Sequence, residues 1–411
     1  MKPFVFYARA KLVVFIFCSL TFSSIGMTQE IPTALRVATF NVSMEALNYG
    51  EKTPQNTANI NRHELTQALQ NDHNQIKNIA EIIQRVNPDI ILLNEFDRVD
   101  DSSSNIHYFI NQYLGKSQDN QQAVNYPYFY QGAVNTGVKV NSDLNQDGKN
   151  DQLPADAHGF GYFIGHFGMV LLSKYPIDEK AIRTFQKFKW HDMPNALKPI
   201  IPKTNKPWYT EKTWQALRLS SKSHWDIPIK INDKTIHILA SHPTPPVFDD
   251  LENRNGNRNH DEIRFWFDYI NVEQGAYIYD DNHQMGPLKA NRRFIIMGDQ
   301  NASSVEGDAI MTKKSQGIVA LLNSNKIQDS LPTSLGGQNH SSENSNGIHH
   351  TAHWGMRADY VLPSTVGFII KGSGVFWPQK NESTYRLIKN RQASSDHRLV
   401  WVDVELIPIK Q

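Results

Sequence analysis

The chain has 411 residues, 20% of them charged, and its mean hydropathy of −0.50 excludes a polytopic membrane protein and a wholly disordered chain. Lys and Arg number 42 against 41 Asp and Glu, so the formal net charge of +1 supplies no general positive field for nucleic acid or an anionic membrane. Any affinity for an anion must therefore be local.

The N-terminal segment has the layout of a secretory signal. Lys2, Arg9 and Lys11 precede an apolar run at 12–20, and small and polar residues follow. We predict that residues 1–28 are a signal peptide and that the protein is exported, to the periplasm or outside the cell. The apolar run is shorter than the roughly 20 residues that span a bilayer, so a permanent anchor is the weaker alternative. Loss of three basic residues from 42 would leave 39 against 41 acidic ones, a balance of −2, and would remove Cys18, the chain's single cysteine.

Short apolar strands that end in a polar residue recur along the rest of the chain. Predicted strands are 36–41, 90–93, 168–172, 227–231, 235–240, 294–297, 358–362 and 399–406, and apolar residues at helical spacing predict helices at 75–86 and 263–270. This order indicates an α/β fold of layered sheets flanked by helices, in a single domain over residues 34–407. Long loops join the elements, and the polar, glycine-rich segment 331–355 is expected to be a mobile loop.

The polar residues at the strand ends are the main functional signal. Carboxylates and carboxamides are the ligands that Mg²⁺, Mn²⁺ and Ca²⁺ prefer, and histidines exchange protons near neutral pH. Because strand ends can share one edge of a sheet, we expect these side chains to meet. Any one of them alone would be better explained as a turn residue or a helix cap. The set comprises Asn41, Glu95, His242, Asp299, Asn301, Asp359, Asp396 and His397.

Six short blocks at these strand ends carry a family resemblance. They are Thr-Phe-Asn (39–41), Leu-Asn-Glu (93–95), Ser-His-Pro (241–243), Gly-Asp-Gln-Asn (298–301), Ala-Asp-Tyr-Val-Leu (358–362) and Ser-Asp-His-Arg (395–398). In this order they resemble the endonuclease/exonuclease/phosphatase superfamily, over residues 34–407. The resemblance implies a deoxyribonuclease-I-like, four-layered α/β sandwich, in which two packed mixed β-sheets are flanked by helices. It also implies metal-dependent hydrolysis of a phosphoester.

The resemblance further implies a metal side to the site. Carried over by position, Glu95 is the principal ligand of Mg²⁺ or Mn²⁺, Asn41 lies beside it and helps to hold metal or phosphate, and Asp396 lies on the same side. A divalent cation is also what the chemistry requires. One positioned proton carrier accelerates a reaction by about 10²–10⁴, whereas phosphate monoester hydrolysis needs up to about 10²¹.

The remaining blocks imply the catalytic groups. Asp299 would orient or deprotonate the attacking water, and Asn301 would position that water or a phosphate oxygen. Asp359 would hold and polarise His397, which would donate to the phosphate in the transition state. His242 matches the block that in nucleases supplies a second histidine near the leaving group, but its Ser-His-Pro-Thr-Pro-Pro context is less usual, which leaves its role open.

A second motif lies in the segment 101–165, which we predict to be an insertion. Oxygen donors at Asp143, Asn145, Asp147 and Asp151, with Gly148 at the sixth position, match the first part of a calcium loop. Pro154 stands where a closing Glu would be, which favours the shorter loops of extracellular calcium-binding repeats. A polar turn without an ion is the alternative. Further along, His158, Tyr162 and His166 are better explained by packing than by substrate contact.

Two polar segments could bind substrate phosphate. Arg254 and Arg258 precede the predicted helix at 263–270, and Lys222 and His224 precede the strand at 227–231. Helix capping and ion pairs with neighbouring acidic residues explain the arginines equally well.

The sequence as a whole favours an exported phosphoesterase of a phosphomonoester or phosphodiester. A secreted nuclease is the first alternative, which the near-neutral charge makes less favoured. A calcium-dependent binding protein on an inactive fold is the second, against which the complete set of strand-end residues argues.

Overall fold

In the computed structural model of the chain, most of the strands form two large sheets. The structure describes Met1 and residues 34–50, 60–99, 103–307 and 317–409, so the predicted signal peptide beyond Met1 lies outside the described residues. The strands are β1 (Ala34–Met44), β2 (Ile90–Phe96), β3 (Tyr128–Tyr130), β4 (Met169–Ser173), β5 (Arg183–Thr184), β6 (Ile200–Ile201), β7 (Lys206–Pro207), β8 (His224–Ile231), β9 (Lys234–Ser241), β10 (Arg293–Asp299), β11 (Asp359–Pro363), β12 (Phe368–Val375) and β13 (Val400–Leu406).

Both large sheets are mixed, and each contains one parallel pair near its centre. The first has the order β12-β13-β1-β2-β4-β3 with β1 and β2 parallel. The second has the order β11-β10-β9-β8-β5 with β9 and β10 parallel, and β6 and β7 form a separate small hairpin. Parallel neighbours end at the same edge, which is what brings polar strand ends together.

Helices cover the outer face of each sheet. They are α1 (Ala46–Tyr49), α2 (Glu64–Gln70), α3 (Asn74–Val86), α4 (Ser104–Phe109), α5 (Glu211–Ala216), α6 (Arg254–Tyr269), α7 (Gly317–Leu322) and α8 (Leu335–His340). The side chains of α3 share a core with the first sheet, and those of α6 pack on the second sheet. The result is the predicted four-layered α/β sandwich.

The alternation of β10 shows how the layers form. Ile295 and Met297 join the core between the two sheets, whereas Phe294 and Ile296 join the core beneath α6. Successive side chains of a strand point to opposite faces, so a strand covered on both faces must be apolar throughout. That is why the unbroken apolar run at 294–297 predicted a buried strand correctly.

The helix predicted at 263–270 begins earlier, at Arg254, so the polar residues before 263 are part of α6 and not of a loop. Their polarity is used for internal bonds: Glu262 accepts the backbone N–H groups of Ser221 and Thr244 at 2.6 Å each. Asp261 accepts the indole N–H of Trp190 at 2.7 Å. The sequence suggested a loop here because the residues are polar, but their carboxylates are buried and hold neighbouring loops.

The expectation of a mobile loop over 331–355 is corrected as well. The segment contains α8 and a 3-10 helix at Ser345–His349. A Cβ at Gly336 would lie 2.0 Å from the carbonyl oxygen of Trp377, so this glycine allows a close approach of two backbones. The strand β12 was missed entirely. In the described part of the chain, none of the helices is long and apolar enough to cross a membrane.

Candidate active site

The polar strand ends meet at one edge of the two sheets. Asn41 and Asn94 are register partners on the parallel strands β1 and β2, and Glu95 follows directly. On the second sheet Asp299 ends β10 and pairs with Asp359, which begins the antiparallel strand β11. An antiparallel strand that starts where its neighbour stops brings its first residue to the same edge.

His397 is held between two carboxylates. Its Nδ1 lies 2.9 Å from Asp359 Oδ2, and its Nε2 lies 3.5 Å from Asp299 Oδ2. The hydroxyl of Thr351 donates to the same Asp359 oxygen at 2.7 Å, which fixes the carboxylate. Although burial opposes it, the charges of Asp359 and Asp299 raise the pKa of His397 to about 10. The ring is therefore a protonated donor at neutral pH.

Asp299 is the centre of the second group. Its Oδ2 accepts from Asn41 Nδ2 at 3.1 Å and lies 3.4 Å from His242 Nε2, and its Oδ1 accepts the backbone N–H of Asn301 at 2.9 Å. Burial raises the pKa of Asp299 to about 6. Burial also lowers the pKa of His242, so this ring is neutral. A carboxyl group with a raised pKa beside a protonated imidazole is a common arrangement of a base and an acid in one site.

A backbone constraint places Asp299 there. Gly298 has φ +142°, and a Cβ on it would lie 2.0 Å from the carbonyl oxygen of Ser241 in β9. Only glycine allows β10 to turn its last residue toward the edge this close to β9. Gly298 belonged to a recognised sequence block, but the reason for the glycine is visible only in the packing.

Glu95 has the properties expected of a metal ligand. Its side chain is 18% exposed, and among the described residues its carboxylate accepts no hydrogen bond; its ion-pair partner is Arg391, 3.8 Å away. Burial raises its pKa, an effect that Arg391 opposes. The residue has φ +57°, an uncommon backbone state that is concentrated at functional sites. A carboxylate that accepts no hydrogen bond from the described residues has oxygens available to a divalent cation.

Asp396 lies near Glu95 through a shared neighbour. Arg391 Nη1 is 3.3 Å from Asp396 Oδ2, and the hydroxyl of Ser43 donates to Asp396 Oδ1 at 3.2 Å. Despite burial, His397 and Arg391 lower the pKa of Asp396, which keeps it ionised. Arg391 thus links Glu95 to Asp396, whereas the side chain of Asn41 contacts Asp299 and the N–H of Ser43. The role of Asn41, Glu95 and Asp396 as metal ligands stays a prediction.

Asp299, Asp359 and His397 also each offer a ligand atom within 4.8 Å of the others. A metal ion there would compete with the proton that Asp359 and Asp299 hold on His397, so the same three residues serve either proton transfer or an ion.

The four residues suggested for phosphate binding differ in how their donors are used. Arg258 donates to the carbonyl oxygens of His158, Arg218 and Leu219, and Arg254 pairs with Glu252. The ring of His224 contacts Glu262 O at 2.8 Å and the Ser220 hydroxyl. These three side chains therefore bind other parts of the protein. For the two arginines, such internal contacts were the alternative that the sequence supported equally well.

Lys222 is the exception among the four. It is 7% exposed, and its ammonium has no hydrogen bond or ion pair within the described ranges. Burial lowers its pKa, an effect opposed by the charges of Glu262, Glu95 and Asp299. An unpaired cation so close to the site remains available to a phosphate group.

The predicted calcium loop is a set of tight turns. Asp143 Oδ2 accepts the N–H of Gly148 at 2.8 Å, and Asp147 Oδ1 accepts the N–H of Lys149 at 2.9 Å. Asn145 Oδ1 lies 3.3 Å from the N–H of Asp147, and Asp151 Oδ1 has no hydrogen-bond partner in the described part of the chain. Calcium at this loop stays a prediction.

Sequence reasoning missed three residues at the site: Glu45, Thr351 and Arg391. Thr351 and Arg391 lie in loops without a local motif, and only their contacts with Asp359 and Asp396 reveal them. Glu45 follows β1 and caps α1 by accepting the N–H of Leu47.

Comparison with known proteins places these residues in a family context. Residues 38–397 match the Endonuclease/Exonuclease/phosphatase family. Three solved structures are similar. An endonuclease/exonuclease/phosphatase from Beutenbergia cavernae DSM 12333 is 14% identical with a TM-score of 0.48, covering 91% of this chain and 72% of that one. The human Nocturnin catalytic domain is 12% identical with a TM-score of 0.44, covering 91% and 95%.

The third similar structure is an endonuclease/exonuclease/phosphatase family protein from Leptotrichia buccalis C-1013-b, 14% identical with a TM-score of 0.41, covering 90% of this chain and 100% of that one. Likenesses at this level carry no argument about substrate. No curated protein matches the chain significantly.

Proposed function

The chain belongs to the endonuclease/exonuclease/phosphatase family, whose members are metal-dependent hydrolases of phosphoester bonds, and from that premise we propose the finer function of this one. We propose that it is a Mg²⁺- or Mn²⁺-dependent phosphoesterase that hydrolyses a phosphomonoester or phosphodiester by in-line attack of water. The family match confirms the resemblance carried by the six sequence blocks.

The observation that carries the proposal is a carboxylate without hydrogen bonds beside a fixed acid and base. Glu95 accepts no hydrogen bond from the described residues and meets Arg391 at 3.8 Å, while His397 is held protonated by Asp359 and faces Asp299. Bound at Glu95, Asn41 and Asp396, a divalent cation would neutralise phosphate charge in the transition state.

The chain's own residues divide the remaining work. Asp299 accepts a proton from the attacking water, and the raised pKa that burial gives it makes it a better base than an exposed carboxylate. Asn301 positions that water, and His397 donates a hydrogen bond to the phosphate. Asp359 keeps the ring oriented, and His242 remains a neutral partner of Asp299.

Several features bear on the substrate. The balance of −2 expected after signal removal offers little to a long duplex, which favours a smaller phosphoester. Lys222 supplies one unpaired cation near the site, enough to contact a single phosphate group. Export and calcium at the Asp143 loop belong to the proposal on sequence grounds, with a secreted nuclease as the alternative.

The test is a panel of phosphoesters with a matched pair of variants. Purified protein is assayed with Mg²⁺, Mn²⁺ or Ca²⁺ on p-nitrophenyl phosphate, bis-p-nitrophenyl phosphate, inositol phosphates, sphingomyelin and DNA. Glu95→Gln is compared with Glu273→Gln, an exposed glutamate on a surface turn. We expect hydrolysis of at least one substrate that Glu95→Gln lowers by about 10²–10³-fold and Glu273→Gln leaves unchanged.

Two results would contradict the proposal. One is a lack of hydrolysis across the panel with every metal. The other is a Glu95→Gln variant with unchanged activity and unchanged metal binding in calorimetry. Preference for DNA over every small substrate would instead support the nuclease alternative.

A further inference from the structure

Arg391 lies among three carboxylates at the edge of the site. Its Nη2 is 3.3 Å from Glu45 Oε1 and 3.8 Å from Glu95 Oε2, and its Nη1 is 3.3 Å from Asp396 Oδ2. The guanidinium thus contacts both carboxylates that the proposed function assigns to the metal. A planar group with several donors can face separate carboxylates at once, which a single ammonium does less well.

Two hydrogen-bond donors hold the carboxylate of Glu45 in place next to Arg391. Its side chain is 1% exposed, and its Oε2 lies 2.7 Å from the N–H of Leu47 and 3.1 Å from His166 Nε2. His166 Nδ1 accepts the N–H of Tyr162 at 3.3 Å, so the ring proton is on Nε2 and is donated to Glu45. His166 thus acts as a hydrogen-bond donor that fixes the carboxylate of Glu45.

The insertion provides this support. The imidazole of His166 is fully buried and stacks with Phe163 and Phe167, at centroid distances of 4.7 Å and 3.7 Å. With Oε2 occupied by two donors, Glu45 presents only Oε1 to the site. Its role is therefore to hold the guanidinium rather than to bind a metal with both oxygens.

The charges of this group balance one divalent ion. The carboxylates of Glu45, Glu95 and Asp396 contribute three negative charges and Arg391 one positive charge, which leaves a net charge of −2. A two-metal site needs a second ion about 3.5–4 Å from the first, with carboxylates shared between them. Here the neighbouring position beside Glu95 is filled by the guanidinium.

We propose that Arg391 is a positioning residue that takes the place of a second metal ion, so that the site binds a single divalent cation. This inference rests on the proposed function, because it assumes that a metal binds at Glu95. The guanidinium neutralises one carboxylate charge permanently and orients Glu95 and Asp396 toward the remaining ion. Its removal leaves a net charge of −3 and an open position, which favours a second cation.

The test counts Mn²⁺ ions in the full chain by equilibrium dialysis and metal analysis, with electron paramagnetic resonance as the second readout. Ions at the site are those lost on Glu95→Gln, which separates them from any ion at the Asp143 loop. We expect one such ion in the unmodified protein, with the signal of an isolated Mn²⁺. Arg391→Met should bind two, with the signal of an exchange-coupled pair, and Arg391→Lys should bind one.

The outcomes are distinguishable. Two Glu95-dependent ions in the unmodified protein, or one in a folded Arg391→Met, would overturn this inference and leave the proposed function standing. No Glu95-dependent ion at all would overturn both. If Arg391→Met does not fold, Arg391→Gln replaces it, and the count in the unmodified protein decides in any case. An unchanged metal count with a KM raised about tenfold would show that Arg391 binds substrate phosphate instead.

Discussion

Two regions of this chain are rich in carboxylates at short spacing, and they differ in what their oxygens already bind. In the Asp143 loop, Asp143 and Asp147 accept backbone N–H groups of the same loop, and Asp151 Oδ1 is a buried oxygen without a hydrogen-bond partner in the described part of the chain. At the active-site edge Glu95 is largely buried and accepts none among the described residues. The two regions are thus similar in acidic composition and differ in their contacts: Asp143 and Asp147 hold backbone N–H groups, whereas Glu95 faces the guanidinium of Arg391.

The surroundings of the two regions differ in the same way. The loop forms from consecutive residues, so its turns can close without the rest of the fold. The active-site edge draws residues from β1, β2, β10 and β11 and from the loop before β13, and its charges are far apart in the chain. Disturbing the edge should therefore change chemistry, whereas disturbing the loop should change only local stability.

The largest expected effect is on catalysis at the edge. His397→Gln removes the protonated donor that Asp359 holds, and we expect kcat/KM to fall by about 10³-fold with little change in KM. The matched change in the loop, Asp143→Asn, should leave kcat/KM unchanged. Steady-state kinetics on the best panel substrate measures both. Equal losses in the two variants would mean that the two regions act as one site.

The second effect is the pH dependence of that activity. Burial raises the pKa of Asp299 to about 6, so kcat/KM should rise with pH until Asp299 loses its proton near that value. His397 must stay protonated, and Asp359 and Asp299 raise its pKa against the effect of burial, so the alkaline limb should lie near pH 10. The profile is measured in buffers of constant ionic strength. An acidic limb near pH 4 would contradict the role of Asp299, and Asp147→Asn should not shift either limb.

The third effect compares two glycines with positive φ. Gly298→Ala places a Cβ 2.0 Å from Ser241 O, whereas Gly148 in the Asp143 loop has φ +85° and no atom within 4 Å of its Cβ position. Gly148→Ala should cost only the left-handed backbone penalty, about 1 kcal/mol. Gly298→Ala adds overpacking and should cost about 2–4 kcal/mol in total. Urea unfolding followed by circular dichroism compares them, and equal costs would contradict the close approach of β9 and β10.

The smallest effect concerns calcium. If the loop binds Ca²⁺ as extracellular modules do, about 1 mM Ca²⁺ should stabilise the protein by roughly 0.4–1.4 kcal/mol. Asp147→Asn should remove that gain while changing stability by less than about 0.5 kcal/mol in the presence of a chelator. Thermal unfolding with and without Ca²⁺ measures this. A calcium effect that survives Asp147→Asn would place the ion elsewhere.

Much of the fold was predictable because it depends on local patterns. The helix at 75–86 and the strands of both parallel pairs were placed within a few residues of their observed bounds. The predictions were wrong where polar residues are buried and bonded to distant segments. Asp261 and Glu262 read as loop residues because they are polar, yet each is buried in α6 with its hydrogen bonds satisfied by other segments.

Local residue patterns, read in chain order, were enough to identify the family, the layered α/β fold and the polar strand ends, since strand periodicity and strand-end chemistry are local. What only the packed chain decided is which oxygens stay free and which charges are paired. Arg391 meets Glu45 at a sequence separation of 346 residues and donates to Asp396 five residues away. No spacing in the sequence encodes such a contact, because it depends on how two sheets and an insertion close around one edge. That closure decides which of the acidic residues share one site.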